Sequence, residues 1–260
     1  MGTAFGAQPR YLAIAQQLAD EIRDGVYPPK SKLPSRAEIA ATHGVTSQTA
    51  SEAVRVLISQ GLAYGIAGSG TFVRQQPVVQ RVVRTPGWRY VDGTTAEVEV
   101  AGAARNHETR FRIPCPPDVA GRLDIAPGAP CTRTDYLFHV PGAYGLPRAV
   151  ALSTSWEPYA VTEGSPVLAP EDGPLAGRGV VERMAAIGID ITSCQEEVGT
   201  RPASPEEATK LDMPEGVWLV TICRTYIGLV DGMPVPVETA DIRYPGDQYR
   251  VTYDVPVPRS

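Results

Sequence analysis

Between Val45 and Leu57 the chain sets Gln48, Thr49, Ser51, Glu52 and Arg55 opposite Ala50, Ala53, Val54 and Leu57, which recur at helical spacing. Small hydroxyl and amide groups crowd the N-terminal end of that polar face. Such a helix suits hydrogen bonding to base edges in the major groove, because bulk in its first turn would prevent approach. The plainer reading is a helical hairpin with a solvated face. The elements around the stretch favour the first.

Ser35 is placed to cap a preceding helix, with Glu38 three residues on as its reciprocal partner. That helix stops at Gly44; Thr46 or Ser47 can cap the next, which ends at Gly61. Leu62–Val73 then holds an apolar-rich run, a Gly68-Ser69-Gly70 turn and Thr71-Phe72-Val73, a short hairpin in the position of a wing. Upstream, Tyr11, Ile14, Ala15, Leu18 and Ile22 form one apolar stripe of a helix over Arg10–Asp24, closed by Gly25. Residues 10–74 thus read as a winged helix-turn-helix.

The 260 residues allow two modest domains. No apolar run approaches the roughly 18 residues of a membrane span. The first ten residues lack a basic segment followed by a hydrophobic one, so no secretion signal is expected and a cytoplasmic, nucleoid-associated location is. Cys115, Cys131, Cys194 and Cys223 are far apart and the chain has 3 histidines, which argues against a metal site and for free thiols. The net charge of −5 is unevenly divided. Residues 1–76 carry 7 Lys/Arg against 5 Asp/Glu, a net +2, and residues 77–260 carry 17 against 24, a net −7. A weakly basic DNA reader on an acidic body needs two copies acting together and binds less as salt rises.

The prolines of the stretch after residue 76 point to a linker over 77–90, leaving 91–260 as the second domain. There, strand-like runs occupy 132–140, 148–156, 217–228 and 235–244, paired through turns at 141–147 and 230–234. Arg133-Thr134 and Arg224-Thr225 on the first strands hint at duplicated hairpins. Helices fit over 179–187 and 204–211, the latter opened by a Ser204-Pro205-Glu206-Glu207 capping box. The order predicts an antiparallel sheet with packed helices, an α+β domain.

The spaced residues Tyr11/Ile14/Leu18, Ile22-Arg23-Asp24-Gly25-Val26-Tyr27-Pro28, Leu33-Pro34-Ser35, Val45-Thr46-x-x-Thr49, Leu57 with Gln60-Gly61-Leu62, and Gly68–Val73 resemble the GntR family of bacterial transcription regulators. The second half resembles the UTRA effector domain of its HutC branch, a chorismate-lyase-like fold. Leu123 with Pro127-Gly128, Arg133, Gly145-x-Pro147, Val180–Met184, Glu207-Ala208 with Leu211, Arg224 and Gly232-Met233-Pro234-Val235-x-x-Glu238 carry that likeness. The resemblance implies DNA contacts from Arg36, Thr46, Ser47, Gln48, Thr49, Ser51, Arg55 and Gly70. Gln48 could bond an adenine edge in bidentate fashion, and Thr49 a phosphate or a thymine methyl. Serine stands at 47 and 51, and alanine at 37, where relatives often carry arginine, so the operator sequence is not inherited.

For the second domain the resemblance implies a small-molecule effector held by Arg133, Ser153, Gly179, Glu238 and Tyr244. Glu238 and Tyr244 are six apart and share a strand face; Arg133 and the amides at 177–179 could hold an anion. The plainer reading makes Arg133 and Glu238 a structural ion pair. Gly179, Val181 and Asp135 replace a serine, an aromatic and an arginine of sugar-phosphate-binding relatives, so a less charged, more apolar ligand is expected. The family further implies a homodimer on a palindromic operator, half-sites one or two turns apart. The rival readings are a ligand-independent DNA binder and a lyase-like enzyme fused to a DNA-binding domain. Against the latter, no serine or cysteine motif accompanies His107 or His139, no cofactor is implied, and Lys210, the only lysine after residue 76, lies on a polar helix.

Overall fold

The computed structural model describes residues 9–74, 79–84, 103–142, 146–213 and 217–253. Two units part between Val78 and Val79. The first unit contains α1 (Arg10–Arg23), α2 (Arg36–His43), α3 (Ser47–Ser59), β1 (Ala63–Ile66) and β2 (Gly70–Val73). Ile14, Ala15 and Leu18 of α1, Ile39 of α2 and Ala50, Ala53, Val54 and Leu57 of α3 close one apolar core with Leu33, Ala63 and Val73. Both expected stops carry positive φ, +58° at Gly44 and +69° at Gly61, where glycine is free of the Cβ clash. The Ser35/Glu38 capping box is formed in both directions.

The wing has a partner that the sequence analysis missed. Lys32 bridges Phe72, and the Leu33 amide donates to Thr71 O at 2.8 Å, so the chain before α2 lines β2 as a third short strand.

The second unit is built on a six-stranded antiparallel sheet of order β4-β5-β6-β9-β8-β7. Its strands are β4 (Ala104–Pro114), β5 (Pro130–Pro141), β6 (Pro147–Pro158), β7 (Asp190–Pro202), β8 (Trp218–Val230) and β9 (Met233–Pro245). The two expected hairpins, β5–β6 and β8–β9, form its centre. The second turns through Asp231 and Gly232, both at positive φ, as a tight hairpin requires. Residues 143–145 of the first turn lie outside the described residues.

Register assigns the faces, because alternate residues of a strand point to opposite sides. Arg224 pairs with Ala240, and Ala240 with Ser155, which puts Arg224, Ser155, Glu238 and Glu196 on one side. Arg133 pairs with Trp156, which puts Arg133, Asp135, Thr154, Asp241 and Arg243 on the other. The hint of duplicated hairpins therefore fails, since the two Arg-Thr pairs send their arginines to opposite faces. Helices α4 (Pro117–Leu123) and α7 (Pro205–Lys210) cover part of the Arg133 face through Trp156 and through Glu207 to Arg243. The short α5 (Tyr159–Thr162) follows β6, and α6 (Val180–Ala185) packs Val180 and Met184 on Tyr226 and Val237.

The linker reading of 77–90 needs correction over five residues. Gln80–Arg84 is a strand, β3, paired in parallel with β10 (Tyr249–Tyr253). Val82 and Tyr249 bury against Ile222, Ile242 and Tyr244 on the Glu238 face. The sequence showed no stripe there because only Val82 and Arg84 of the five point inward. Residues 77–78 and 85–90 of that linker lie outside the described residues.

Candidate nucleic-acid interface and effector site

α3 packs Ala50, Ala53, Val54 and Leu57 inward, which turns Ser47, Gln48 and Arg55 to solvent and leaves Thr49, Ser51 and Glu52 half-buried. Thr46 caps it: the Thr49 amide donates to the Thr46 hydroxyl oxygen at 3.2 Å. Ser47, the other candidate cap, is the first helical residue. Gln48 donates to Glu52 Oε1 at 3.3 Å, one turn on. Glu52, not among the expected contact residues, thereby joins the face that would meet a groove, and its carboxylate can accept from cytosine N4.

Arg36 is exposed at the first position of α2. The amide and hydroxyl of Ser35 hold the Glu38 carboxyl below its ordinary range, as expected of a capping box at a helix N-terminus. Gly70 sits at φ +123°, and a Cβ there would fall 2.7 Å from Lys32 Cε. Exposed Lys32 therefore belongs with the wing. Only its pairing with β2 reveals this; in sequence it precedes α2 by several residues.

The effector candidates do not converge on one pocket. Arg133 donates to Asp135 Oδ1 at 2.7 Å and stands over the Trp156 ring at 5.3 Å. Arg133, Asp135 and Ser153 edge an open cleft of about 610 Å³ that includes Arg201, Glu207 and Arg243. Burial works against the Asp135 carboxyl's charge, but Arg133, Thr154 and Arg110 hold it below the ordinary range. Glu238 lies through the sheet from this cleft, so Arg133 and Glu238 cannot be the ion pair that the plainer reading expected.

Glu238 is fully buried. Its Oε1 accepts from Ser155 at 2.8 Å and from Arg224 at 3.1 Å, while Oε2 has no hydrogen-bond partner among the described residues. Burial pushes this carboxyl up against the pull of Arg224 and Ser155. Close by, Arg183 from α6 is paired with Glu157, also donating to Val167 O at 3.2 Å, with both side chains 2% exposed or less. Gly179 caps α6 and so stands on this same side, but the helix has six residues and its cap makes no side-chain bond. An anion-binding terminus is not its evident role.

Ser153 and Tyr244 share the Glu238 face as core residues. Ser153 is 3% exposed and opposes Ile242 and Tyr136. Tyr244 packs on Tyr249 at 5.6 Å between ring centres. Six residues along a strand place it roughly 20 Å from Glu238, under the β3–β10 ribbon. Ser155, Glu157, Arg183 and Glu196 were not among the residues expected here. Alternation along β6 from Ser153 leads to Ser155 and Glu157, whereas Arg183 and Glu196 lie on other elements and carried no local signal.

Comparisons with known proteins agree with this architecture. The family model for bacterial regulatory proteins of the gntR family matches residues 10–73, and the UTRA domain model matches 105–250. A crystal structure assigned to the GntR-family transcriptional regulators shares 42% identity over 96% of this chain and 99% of its own, with a TM-score of 0.77. An HTH-type transcriptional regulator of Streptomyces coelicolor, SCO4628, is 27% identical over 97% of this chain and 94% of its own length. The histidine utilization repressor of Klebsiella aerogenes is 35% identical over 27% of this chain and 32% of its own. With the capped helix α3, the wing and the antiparallel sheet in place, the chain belongs to the GntR family of bacterial transcription regulators, in its HutC branch, with a UTRA domain as its second half.

Proposed function

We propose that this regulator is a repressor that binds a palindromic operator as a homodimer, and that a small molecule received at Glu238 sets its grip. The observation that carries the effector part is the Glu238 carboxylate itself. It is fully buried, and one of its oxygens has no hydrogen-bond partner among the described residues. Such a group is costly to keep unless something completes its bonding. Glu157, Glu238, Arg183 and Arg224 balance to zero charge, so an incoming molecule need not be an anion. A hydrogen-bond donor, a hydroxyl or an amine on a compact and partly apolar body, fits the unfilled oxygen. This agrees with Gly179 and Val181, at the start of α6 on the Glu238 side, standing where sugar-phosphate-binding relatives carry a serine and an aromatic.

The DNA part rests on exposed Gln48 and Arg55 and half-buried Thr49, Ser51 and Glu52 lying on the polar face of α3. Lys32 and Gly70 of the wing and Arg36 of α2 add backbone contacts. Two half-sites explain how a reader with a net charge of only +2 holds a duplex.

The test is direct. Fragments of the source genome selected on the full-length protein should yield a palindrome, and Gln48→Ala with Thr49→Ala should abolish its specific retardation while thermal unfolding stays within a few degrees. Unchanged retardation by the double variant would remove the assignment of α3. For the effector part, a metabolite panel is screened by thermal shift on the full chain and on Glu238→Gln. A compound that stabilises only the former and changes operator affinity is expected, and an empty screen would count against an effector.

A further inference from the structure

The strand β3 begins six residues beyond Arg74 and is the first described element after the DNA-binding unit. Its hold on the effector sheet is slight. Five residues pair with β10, Val82 is buried, and Arg84 ends the strand. Arg84 forms an ion pair with Glu196 of β7 in which the two side chains are 5% and 4% exposed. From β10, the Tyr253 hydroxyl donates to the same carboxylate at 2.8 Å. Glu196 thus gathers both strands of the ribbon.

Directly across the sheet from Glu196 stands Arg224, its register partner on β8. Arg224 is engaged by Glu238 at 3.1 Å and lies over the Tyr226 ring at 4.6 Å. Two arginines and two glutamates therefore alternate along one buried line, Arg84, Glu196, Arg224 and Glu238. Opposed residues in an antiparallel pair have Cβ atoms about 5 Å apart, so Arg224 can reach either acid by changing rotamer.

We propose that Arg224 is a partner-exchanging arginine: when the protonated amine of a bound molecule neutralises the Glu238 carboxylate, Arg224 turns to Glu196, displaces Arg84 and frees β3. The proposal rests on the reading of Glu238 as the effector site. Its physical basis is that a buried cation cannot be left without a counter-ion. Loss of Glu238 makes Glu196 the nearest acid for Arg224, and Glu196 cannot keep two buried arginines equally well. Arg84 stands on a strand paired to β10 alone, whereas Arg224 stands within the six-stranded sheet, so Arg84 is the one that leaves. Its departure also leaves the Tyr253 hydroxyl sharing its acceptor with Arg224. Freed, β3 no longer fixes residues 80–84 to the effector sheet, and operator affinity falls.

The experiment needs no ligand, because Glu238→Gln removes the charge that holds Arg224 and imitates occupancy. Amide hydrogen exchange is followed on the full-length protein. In Glu238→Gln the amides of 80–84 and 249–253 are expected to exchange at least about tenfold faster than in the parent, with the β5–β6 ladder unchanged. Adding Arg224→Met should return them to within about threefold of the parent, since the migrating cation is gone. Glu196→Gln, which leaves Glu238 untouched, should free the same amides directly and lower operator affinity. Unchanged exchange at 80–84 in Glu238→Gln, or a double variant as open as the single one, overturns the exchange. Should Glu238→Gln lose protection throughout the sheet, Glu196→Gln decides alone, and full protection of β3 there overturns the proposal. An empty metabolite screen would defeat the effector reading without altering these results, so the two failures are distinguishable.

Discussion

The hydroxyl oxygen of Thr46 accepts the Thr49 amide at 3.2 Å and stands 3.0 Å from the Thr49 hydroxyl. One side chain thereby fixes both the start of α3 and the position of a residue that would face DNA. Replacing a threonine cap by alanine costs typically about 1 kcal/mol. Thr46→Ala should lower the unfolding temperature by a few degrees. It should weaken operator binding more than that loss explains, because Thr49 is no longer held. Thr46→Ser should restore both. Denaturation curves and gel retardation on the same samples check this, and equal losses in the two would reduce Thr46 to a stability element.

Arg183 and Glu157 form a pair with almost no access to water. Removing one member leaves a buried charge, at a cost of about 3–5 kcal/mol, whereas replacing both by apolar groups of similar size is often neutral. Arg183→Met is therefore expected to be strongly destabilising, and Glu157→Leu with Arg183→Met close to the parent. Urea unfolding of the three proteins measures the difference. A double variant as weak as the single one would mean that the pair itself contributes net stability.

How far the sequence could be read is plain from particular residues. α2 and α3 were legible because caps, stops and apolar spacing agree within one short stretch, from Ser35 to Gly61. The central hairpins were legible as well. The edge strands β4 and β7 were not, since charged and polar residues populate both of their faces, as edges that must resist pairing require. For the effector site, parity along one strand correctly set Glu238 and Tyr244 on one face. Parity gives no relation between strands, so it could not show that Arg133 faces the side of the sheet opposite Glu238. The Arg84–Glu196 pair joins residues 112 apart in sequence and had no local signal at all.

Gly70 offers a test of the wing. Its φ of +123° lies where L side chains rarely go, and an added Cβ would meet Lys32 Cε at 2.7 Å. The lysine's flexible end can move aside, but the backbone strain remains, of order 1–3 kcal/mol for such a conformation. Gly70→Ala should distort the hairpin tip and displace Lys32. Operator affinity is then expected to fall severalfold with little change in helical circular dichroism. Lys32→Ala should reproduce much of the affinity loss and flatten the salt dependence by about one phosphate contact. A salt slope untouched in Lys32→Ala would remove that lysine from the interface.

Glu207 ties α7 to the sheet and gives the protein part of its acid sensitivity. Its carboxylate accepts from Arg201 at 2.6 and 2.7 Å, from the Ser204 amide at 2.9 Å and from Arg243 at 3.4 Å. Chiefly through Arg201, and against the effect of burial, it is held down at about 2, from an ordinary 4.5. A carboxyl depressed in the folded state stabilises fully above its unfolded value, and that contribution is lost as pH falls through the folded one. Wild type should therefore lose stability between about pH 4.5 and 2 on account of this group. Glu207→Gln keeps an oxygen for the Ser204 amide but not the charge for the two arginines, so it should be less stable than wild type at neutral pH. The gap should narrow as the pH is lowered through that window, because the wild-type carboxyl is then neutralised too. Urea midpoints followed by circular dichroism at several acid pH values provide the comparison. A gap independent of pH would assign the role of Glu207 to packing and hydrogen bonding rather than to its charge.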